Sequence, residues 1–421
     1  MKRLICLSAA SALVITSVGC ASSTDGSNGK TNDSKSDAVK LEFLFNRPSD
    51  VDVMKKVAEK FQTENPNITV ELNAPPDMHH VVDLRLANNQ PPEMFQIYPT
   101  GTTYLNVVEA GYVQDLTSDN SLFENINSGS IPINLIKDKH YDVPYGLEGW
   151  GVIYNVDIFK KFNLEVPKTY AELIQIAAKL QAEGLTPFVF SDKDFTNIRM
   201  TSTTVMAVDD PDIQNFFLDV QAGKKHVTDG QQVRKVAEKF LELRKYGQKD
   251  AFGTDGVAAD REFAAGKAAM YFQNLANLKT IKAAAPDVNV SMFPFPAENA
   301  NDTKMPLQVA MAISIPTNSK TAAEAKKFMT FFQKTEISQM YIEGSWLVPT
   351  IKGVANPHKE LKLITDYANE GKVNRKADAT WLTKDMQDDF GKALQTFLSD
   401  KNMDGFLKKA DGILYGKAKQ K

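Results

Sequence analysis

A chain of 421 residues exceeds what one hydrophobic core sustains, since cores stop growing near about 250–300 residues, so two lobes are expected. With 43% hydrophobic and 24% charged residues it has the composition of a soluble globular protein. The 49 basic and 52 acidic residues leave a net charge of -3, too little positive field to favour nucleic acid or attraction to a membrane surface by charge.

The first residues stand apart from the fold. Met1-Lys2-Arg3 is a positive segment, Leu4 to Val18 a short apolar run, and Gly19-Cys20 a small-residue close, the order of a secretory signal over 1–19. The run is shorter than the roughly 20 residues a bilayer core requires, and Ser8, Ser11, Thr16 and Ser17 interrupt it. Cys6 and Cys20 are the only cysteines, so the folded part has no disulfide framework and no cysteine-based metal or catalytic site. Ser17-Val18-Gly19-Cys20 resembles a bacterial lipobox, in which the cysteine is lipidated and becomes the mature N-terminus, with Ser17 where an apolar branched residue is usual. Residues 20–39 then carry the lipidated Cys20 and a Ser/Gly/Asn/Asp/Lys linker without large apolar side chains. As a coil, such a linker holds the body roughly 20–25 Å from its anchor.

Leu41 to Phe45 is a strand ended by Asn46-Arg47-Pro48. Ser49 is the expected N-cap of a helix whose apolar face is Met54, Val57, Ala58 and Phe61, and Asn65-Pro66 stops it. Ile68, Val70 and Leu72 alternate with polar residues as a half-buried strand, which completes a βαβ unit. A helix around Val81 to Ala87, a strand Glu93 to Tyr98 and a helix from about Thr102 continue the pattern. In open α/β sheets ligands sit beyond the carboxyl ends of the strands, which here are the loops at Asn46-Arg47, Pro76-Asp77 and Tyr98 to Thr102.

Tyr141 to Asn155, YDVPYGLEGWGVIYN, sets one glutamate, one tryptophan and three glycines between apolar runs, as a strand crossing from one lobe to the next would. Beyond it, Thr169 and Glu172 form a capping box, Leu173, Ile176, Ala177 and Leu180 an apolar helix face, and Gly184 the helix end. Pro187 to Phe190 is a strand and Ser191 to Phe195 the polar loop after it; Gln231 to Tyr246 is an amphipathic helix. Arg261 to Phe272 is a helix, a glycine cap and a buried strand; Gln308 to Ile315 is a strand, Thr321 to Phe332 a helix, and further helices begin near Lys384.

No G-x-S-x-G elbow, P-loop, H-E-x-x-H or dinucleotide fingerprint occurs, and the adjacent His79 and His80 read as solvated loop residues rather than metal ligands. Four segments do match a family. VPYGLEGWGVIYNVDIFKKFNLEVPKTYAELIQIAAKL at 143–180, FAAGKAAMYFQN at 263–274, AISIPTNSKTAAEAKKFMTFF at 312–332 and LVPT at 347–350 resemble the family 1 extracellular solute-binding proteins of carbohydrate ABC importers.

The resemblance implies an α/β, two-lobed periplasmic-binding-protein-like fold of type II, each lobe a mixed sheet flanked by helices and joined by crossing hinge strands. Residues 40–147 with 306–353 would form the N-terminal lobe, and 148–305 with 354–421 the C-terminal lobe. It implies a non-enzymatic, cofactor-free, monomeric lipoprotein on the extracellular face of the cytoplasmic membrane. Such a protein binds a carbohydrate, of oligosaccharide size, and delivers it to ABC permease subunits. A secreted glycan-cleaving enzyme and a sugar-sensing lipoprotein presenting ligand to a receptor are the alternatives.

Sugar recognition requires aromatic faces for ring C–H groups and charged or amide groups for hydroxyls. Glu148 aligns with the hinge glutamate that hydrogen-bonds sugar hydroxyls in maltose-binding relatives. Trp150, two residues on, either shares its side of the strand or belongs to the core. Trp346 falls where an aromatic commonly faces the cleft, Trp381 lies in a polar, non-periodic stretch, and Asn274 ends a family segment. Arg47, Asp77, Tyr98 and Asp194 occupy strand-end loops, as ligand contacts or as solvated and capping residues. Relatives often carry a stacking tryptophan shortly after AAMYFQ; this chain has Ala276 there, which cannot stack.

Overall fold

The computed structural model describes residues 38–420, apart from Thr100, Ile131, Pro132 and Asn134. The signal segment, Cys20 and nearly all of the linker lie outside the described residues. Strands β1 (Val39–Phe45), β2 (Ile68–Asn73) and β3 (Met94–Gln96) form a parallel sheet in the order β2-β1-β3, and helix Val51–Glu64 links the first two. Period-two alternation explains why both faces are covered. Phe43 and Phe45 enter one apolar cluster with Phe61 and Phe328, while Leu44 enters another with Phe95 and Tyr104.

The remaining strands are β4 (Val143–Asn155), β5 (Thr186–Val189), β6 (Ala268–Asn274), β7 (Val290–Phe293), β8 (Met305–Ile313), β9 (Val348–Pro349) and β10 (Val373–Asn374). They run β10-β8-β4-β6-β5, with β7 and β9 also paired to β4. β4 is the shared member. Its first half pairs antiparallel with β8 and β9, and its second half with β6 and β7. The change of partner falls between Gly149, opposite Leu307, and Trp150, opposite Asn274. A bridge between Phe95 and Ser314 and a hydrogen bond from Gln96 Nε2 to the Ala310 carbonyl (2.9 Å) tie β3 to the β8 side. The architecture is therefore two-lobed α/β, with a second large cluster around Trp150, Phe188, Phe217, Phe240, Trp381 and Phe390 on the far side of the crossing.

Two local expectations change. The first helix begins at Val51 rather than after Ser49, because Pro48–Asp50 forms a 3-10 turn and the Ser49 hydroxyl donates to Asp50 Oδ1 (2.8 Å) instead of capping. The polar loop after β5 gives way at Phe195 to a helix, Phe195–Asp209, that periodicity did not reveal. Its middle is rich in β-branched and hydroxyl residues that favour other conformations. Thr201, Thr203 and Thr204 instead donate back to carbonyls three or four residues earlier, which lets the helix be buried on most sides.

The glycines of β4 are steric requirements. A Cβ on Gly149 would lie 2.5 Å from the Pro306 carbonyl oxygen and 2.8 Å from Leu307 Cδ2, whereas one on Gly412, within helix Met403–Leu414, would meet nothing within 4 Å. Gly149→Ala should therefore lower the unfolding free energy by about 1–3 kcal/mol through overpacking. Gly412→Ala should raise it by about 0.5–1 kcal/mol through helix propensity. Urea denaturation of both variants reads the opposite signs.

Candidate functional site

Because side chains alternate along a strand, Glu148 and Trp150 share one side of β4 at the point where its partner changes. Both line a cavity of about 590 Å³. Glu148 Oε1 accepts a hydrogen bond from Nε2 of Gln308 (2.8 Å), its residue-opposite on β8, and Oε2 lies 3.5 Å from Arg47 Nη1. Arg47 in turn donates through Nε to Asp50 Oδ2 (2.6 Å) and through Nη1 to the Tyr98 hydroxyl (3.4 Å). Asp50 also accepts from the Tyr341 hydroxyl (3.1 Å), so the Arg47 guanidinium is held between two carboxylates in a buried network. The Glu148 carboxylate, with burial, pushes the Tyr98 hydroxyl above its ordinary value, leaving it a neutral donor.

One wall is made by the loops beyond β1, β2 and β3, which bring Asn46, Arg47, Asp77, Tyr98 and Gly101 to the cavity. The other wall is basic. Arg199 comes from helix Phe195–Asp209, and Arg375, Lys376 and Asp378 follow β10. Arg199 and Lys376 both pair with Asp378, and the Lys376 ammonium lies 4.5 Å from the centroid of the Trp150 ring. Burial works to raise the Asp378 carboxyl, but the charges of Lys376 and Arg199 hold it below its ordinary value. Burial, aided by the neighbouring Arg199, pulls Lys376 down to about 8. Arg375 is lowered by burial alone.

Of the residues singled out from sequence, Arg47, Asp77, Tyr98, Glu148, Trp150 and Asn274 line this cavity, and Ala276 lies among them. Trp150 resolves both ways at once: it lines the cavity yet is only 6% exposed and belongs to the second cluster. Three residues lie elsewhere. Trp381 is a core residue, 1% exposed, set edge-on against Phe217 and Phe390 at 5.2 and 5.0 Å; its polar neighbours misled because Asp378 turns to the cavity while the indole drops inward. Trp346 terminates helix Thr335–Ser345 in a left-handed conformation (φ 61°) and stacks on His358 at 3.8 Å, away from the cavity lining. Asp194 takes the capping alternative, accepting from the Thr196 amide (2.8 Å) at the start of its helix.

His79, expected in a solvated loop, instead sits on helix Met78–Ala87, lines the cavity and contacts Asn46 Nδ2 through Nε2 (3.2 Å). Sequence reasoning missed Gln308, Arg199, Arg375, Lys376 and Asp378. Only Gln308 carried a legible signal, as the one polar side chain in the apolar strand MPLQVAMAI. Carboxylates, amides and guanidinium groups thus converge on one concave space, a set of donors and acceptors suited to a hydroxyl-rich ligand. Among the described residues no group of three or more His, Cys, Asp or Glu could hold a metal ion.

The sequence model of a family described as bacterial extracellular solute-binding protein matches residues 56–370. The multiple sugar-binding protein of Streptococcus mutans is 26% identical over 398 residues, 91% of each chain. Among solved structures, the apo form of RafE from Streptococcus pneumoniae superposes with a TM-score of 0.81 at 20% identity, covering 92% of this chain and 99% of that one. A sugar transporter protein of Bacillus licheniformis in complex with stachyose gives 0.71 at 20% identity, covering 90% and 100%.

The lowered Lys376 has a testable consequence. Between about pH 8 and its ordinary value the folded protein binds fewer protons than the unfolded chain, so this group makes stability rise with pH across that window. Lys376→Met should flatten the rise, a change on the order of 1–3 kcal/mol when unfolding free energies at about pH 7.5 and 9.5 are compared with wild type.

Proposed function

We propose a function from one premise: the chain belongs to the bacterial extracellular solute-binding protein family. It captures a carbohydrate, of oligosaccharide size, between its lobes and delivers it to the permease subunits of an ABC importer. The observation that carries this reading is the convergence of Glu148, Gln308, Arg47 and Asp77 on a cavity at the crossing of β4, where closing the lobes encloses whatever the carboxylate and amides hold. The sugar-binding name of the Streptococcus mutans relative and the stachyose bound by the Bacillus licheniformis neighbour support it. The lobe limits are 40–147 with 306–353 and 148–305 with 354–421, and the ligand contacts are Arg47, Asp77, Tyr98, Glu148, Trp150 and Asn274.

The protein works by binding, without turnover, and as a monomer. Residues 1–19 act as the signal peptide and Cys20 carries the lipid that tethers it, through the linker, to the extracellular face of the cytoplasmic membrane.

Isothermal titration of the purified protein against mono- and oligosaccharides should give saturable binding to at least one. Glu148→Gln should weaken that binding by about 10–100-fold, the cost of removing a charged acceptor from a buried polar site, when titrated at a temperature where circular dichroism shows the variant folded. Saturable binding to no sugar, or unaltered affinity in the variant, would sink the reading; products appearing on prolonged incubation would favour an enzyme. Separately, Cys20→Ala expressed in a Gram-positive host should move the protein from the membrane fraction to the medium.

A further inference from the structure

The basic wall of the cavity holds more positive charge than its own partners balance. Arg199, Arg375 and Lys376 stand there with one carboxylate, Asp378, which pairs with the first and the third. Arg375 is different. Its guanidinium has no hydrogen bond and no ion pair among the described residues, and its Nε is fully enclosed without an acceptor. Arg375 is only half-buried, and its guanidinium, which cannot lose its proton, presents to the cavity charged donors that no internal group has taken.

The opposite wall does not supply that anion. Arg47 is already satisfied there by Asp50 and Glu148, and Glu148, whose field reaches Lys376, is engaged by Arg47 and Gln308. Nor is the cavity built for a bare sugar face. Besides Tyr98 and His79 its aromatic is Trp150, and the Lys376 ammonium sits over that ring where a pyranose would stack, while Ala276 offers no platform. A cation over an aromatic face is well placed to meet an anionic substituent.

Building on the carbohydrate reading above, we propose that the ligand is an acidic sugar, its anionic group seated against the forked donors of Arg375 beside Lys376, and its hydroxyl-bearing ring toward Glu148 and Gln308. The shared chemistry is a negatively charged oxygen cluster on a carbohydrate: the carboxylate of a uronic acid, or a sulfate or phosphate ester. The polarity of the two walls sets the orientation.

Titration calorimetry on the purified protein compares a galacturonate trisaccharide with its neutral galactose counterpart, and 6-sulfated and 6-phosphorylated disaccharides with the unsubstituted form. At least one charged sugar should bind about 10-fold or more tightly than its neutral partner, with the advantage shrinking as salt is raised. The arm that wins identifies the anion. Arg375→Gln should cut affinity for that sugar by about 10–100-fold and bring the charged-to-neutral ratio toward one, and Arg375→Lys should keep part of it. Since the glutamine variant loses only a half-buried cation without an internal partner, its unliganded form should melt no lower than wild type, which separates lost recognition from misfolding. Neutral sugars binding as tightly as every charged one would overturn the acidic-ligand proposal while leaving the carbohydrate reading intact, as would a glutamine variant that keeps the full preference. Binding to no sugar of either kind would remove both.

Discussion

β4 is one strand in two sheets, and the rest of the molecule is arranged around that fact. A strand must pair its amides and carbonyls along its length, so passing from one lobe to the other within 13 residues demands a change of partners in mid-strand. The change occurs at Gly149 and Trp150, where the backbones of β8 and β7 approach so closely that side chains on Gly149 and Gly151 would strike the Pro306 and Phe293 carbonyl oxygens. Close approach of bare backbone at this crossing leaves the neighbouring positions 148 and 150 to carry the side chains that face the cavity. Positions 148 and 150 thus reach the cavity from the same stretch of strand in which the partners change.

The parts of this arrangement legible in sequence were those with local causes. The βαβ unit from Val39 to Asn73 followed from alternation, helical spacing and Asn65-Pro66, and the loops beyond its strands did reach the cavity. Trp381 and Trp346 lie off the cavity for a non-local reason. Whether an indole in a polar stretch faces a cleft or a core depends on which helices cover it, and Phe217 and Phe390 come from segments 164 residues before and 9 residues after Trp381. Arg199 was hidden because its helix is locally disfavoured by its own threonines and exists through burial. Gln308 was the exception, a polar residue in an apolar strand whose only reason to be there is a partner across the sheet.

The two walls of the cavity also differ in how they meet the cost of buried charge. On the first wall the loops beyond the parallel strands interlock Arg47 with Asp50, Glu148, Tyr98 and Tyr341, so the charges are compensated internally and the geometry is fixed before any ligand arrives. A network satisfied in this way serves as a rigid template, since breaking any member leaves another buried charge unpaired.

On the second wall compensation is incomplete, and the deficit lies in the short connection between β10 and helix Lys384–Asp400, which is itself placed by the core contacts of Trp381. This gives the buried tryptophan a role it could not have as a stacking platform. By pinning the chain three residues after Asp378, it holds Arg375, Lys376 and Asp378 at the cavity despite the electrostatic cost of crowding them there. Uncompensated charge at a concave surface is stable only while the hydrophobic anchoring behind it exceeds that cost. A full indole in the core, about the largest apolar contribution one side chain can make, is the kind of anchor such a site needs.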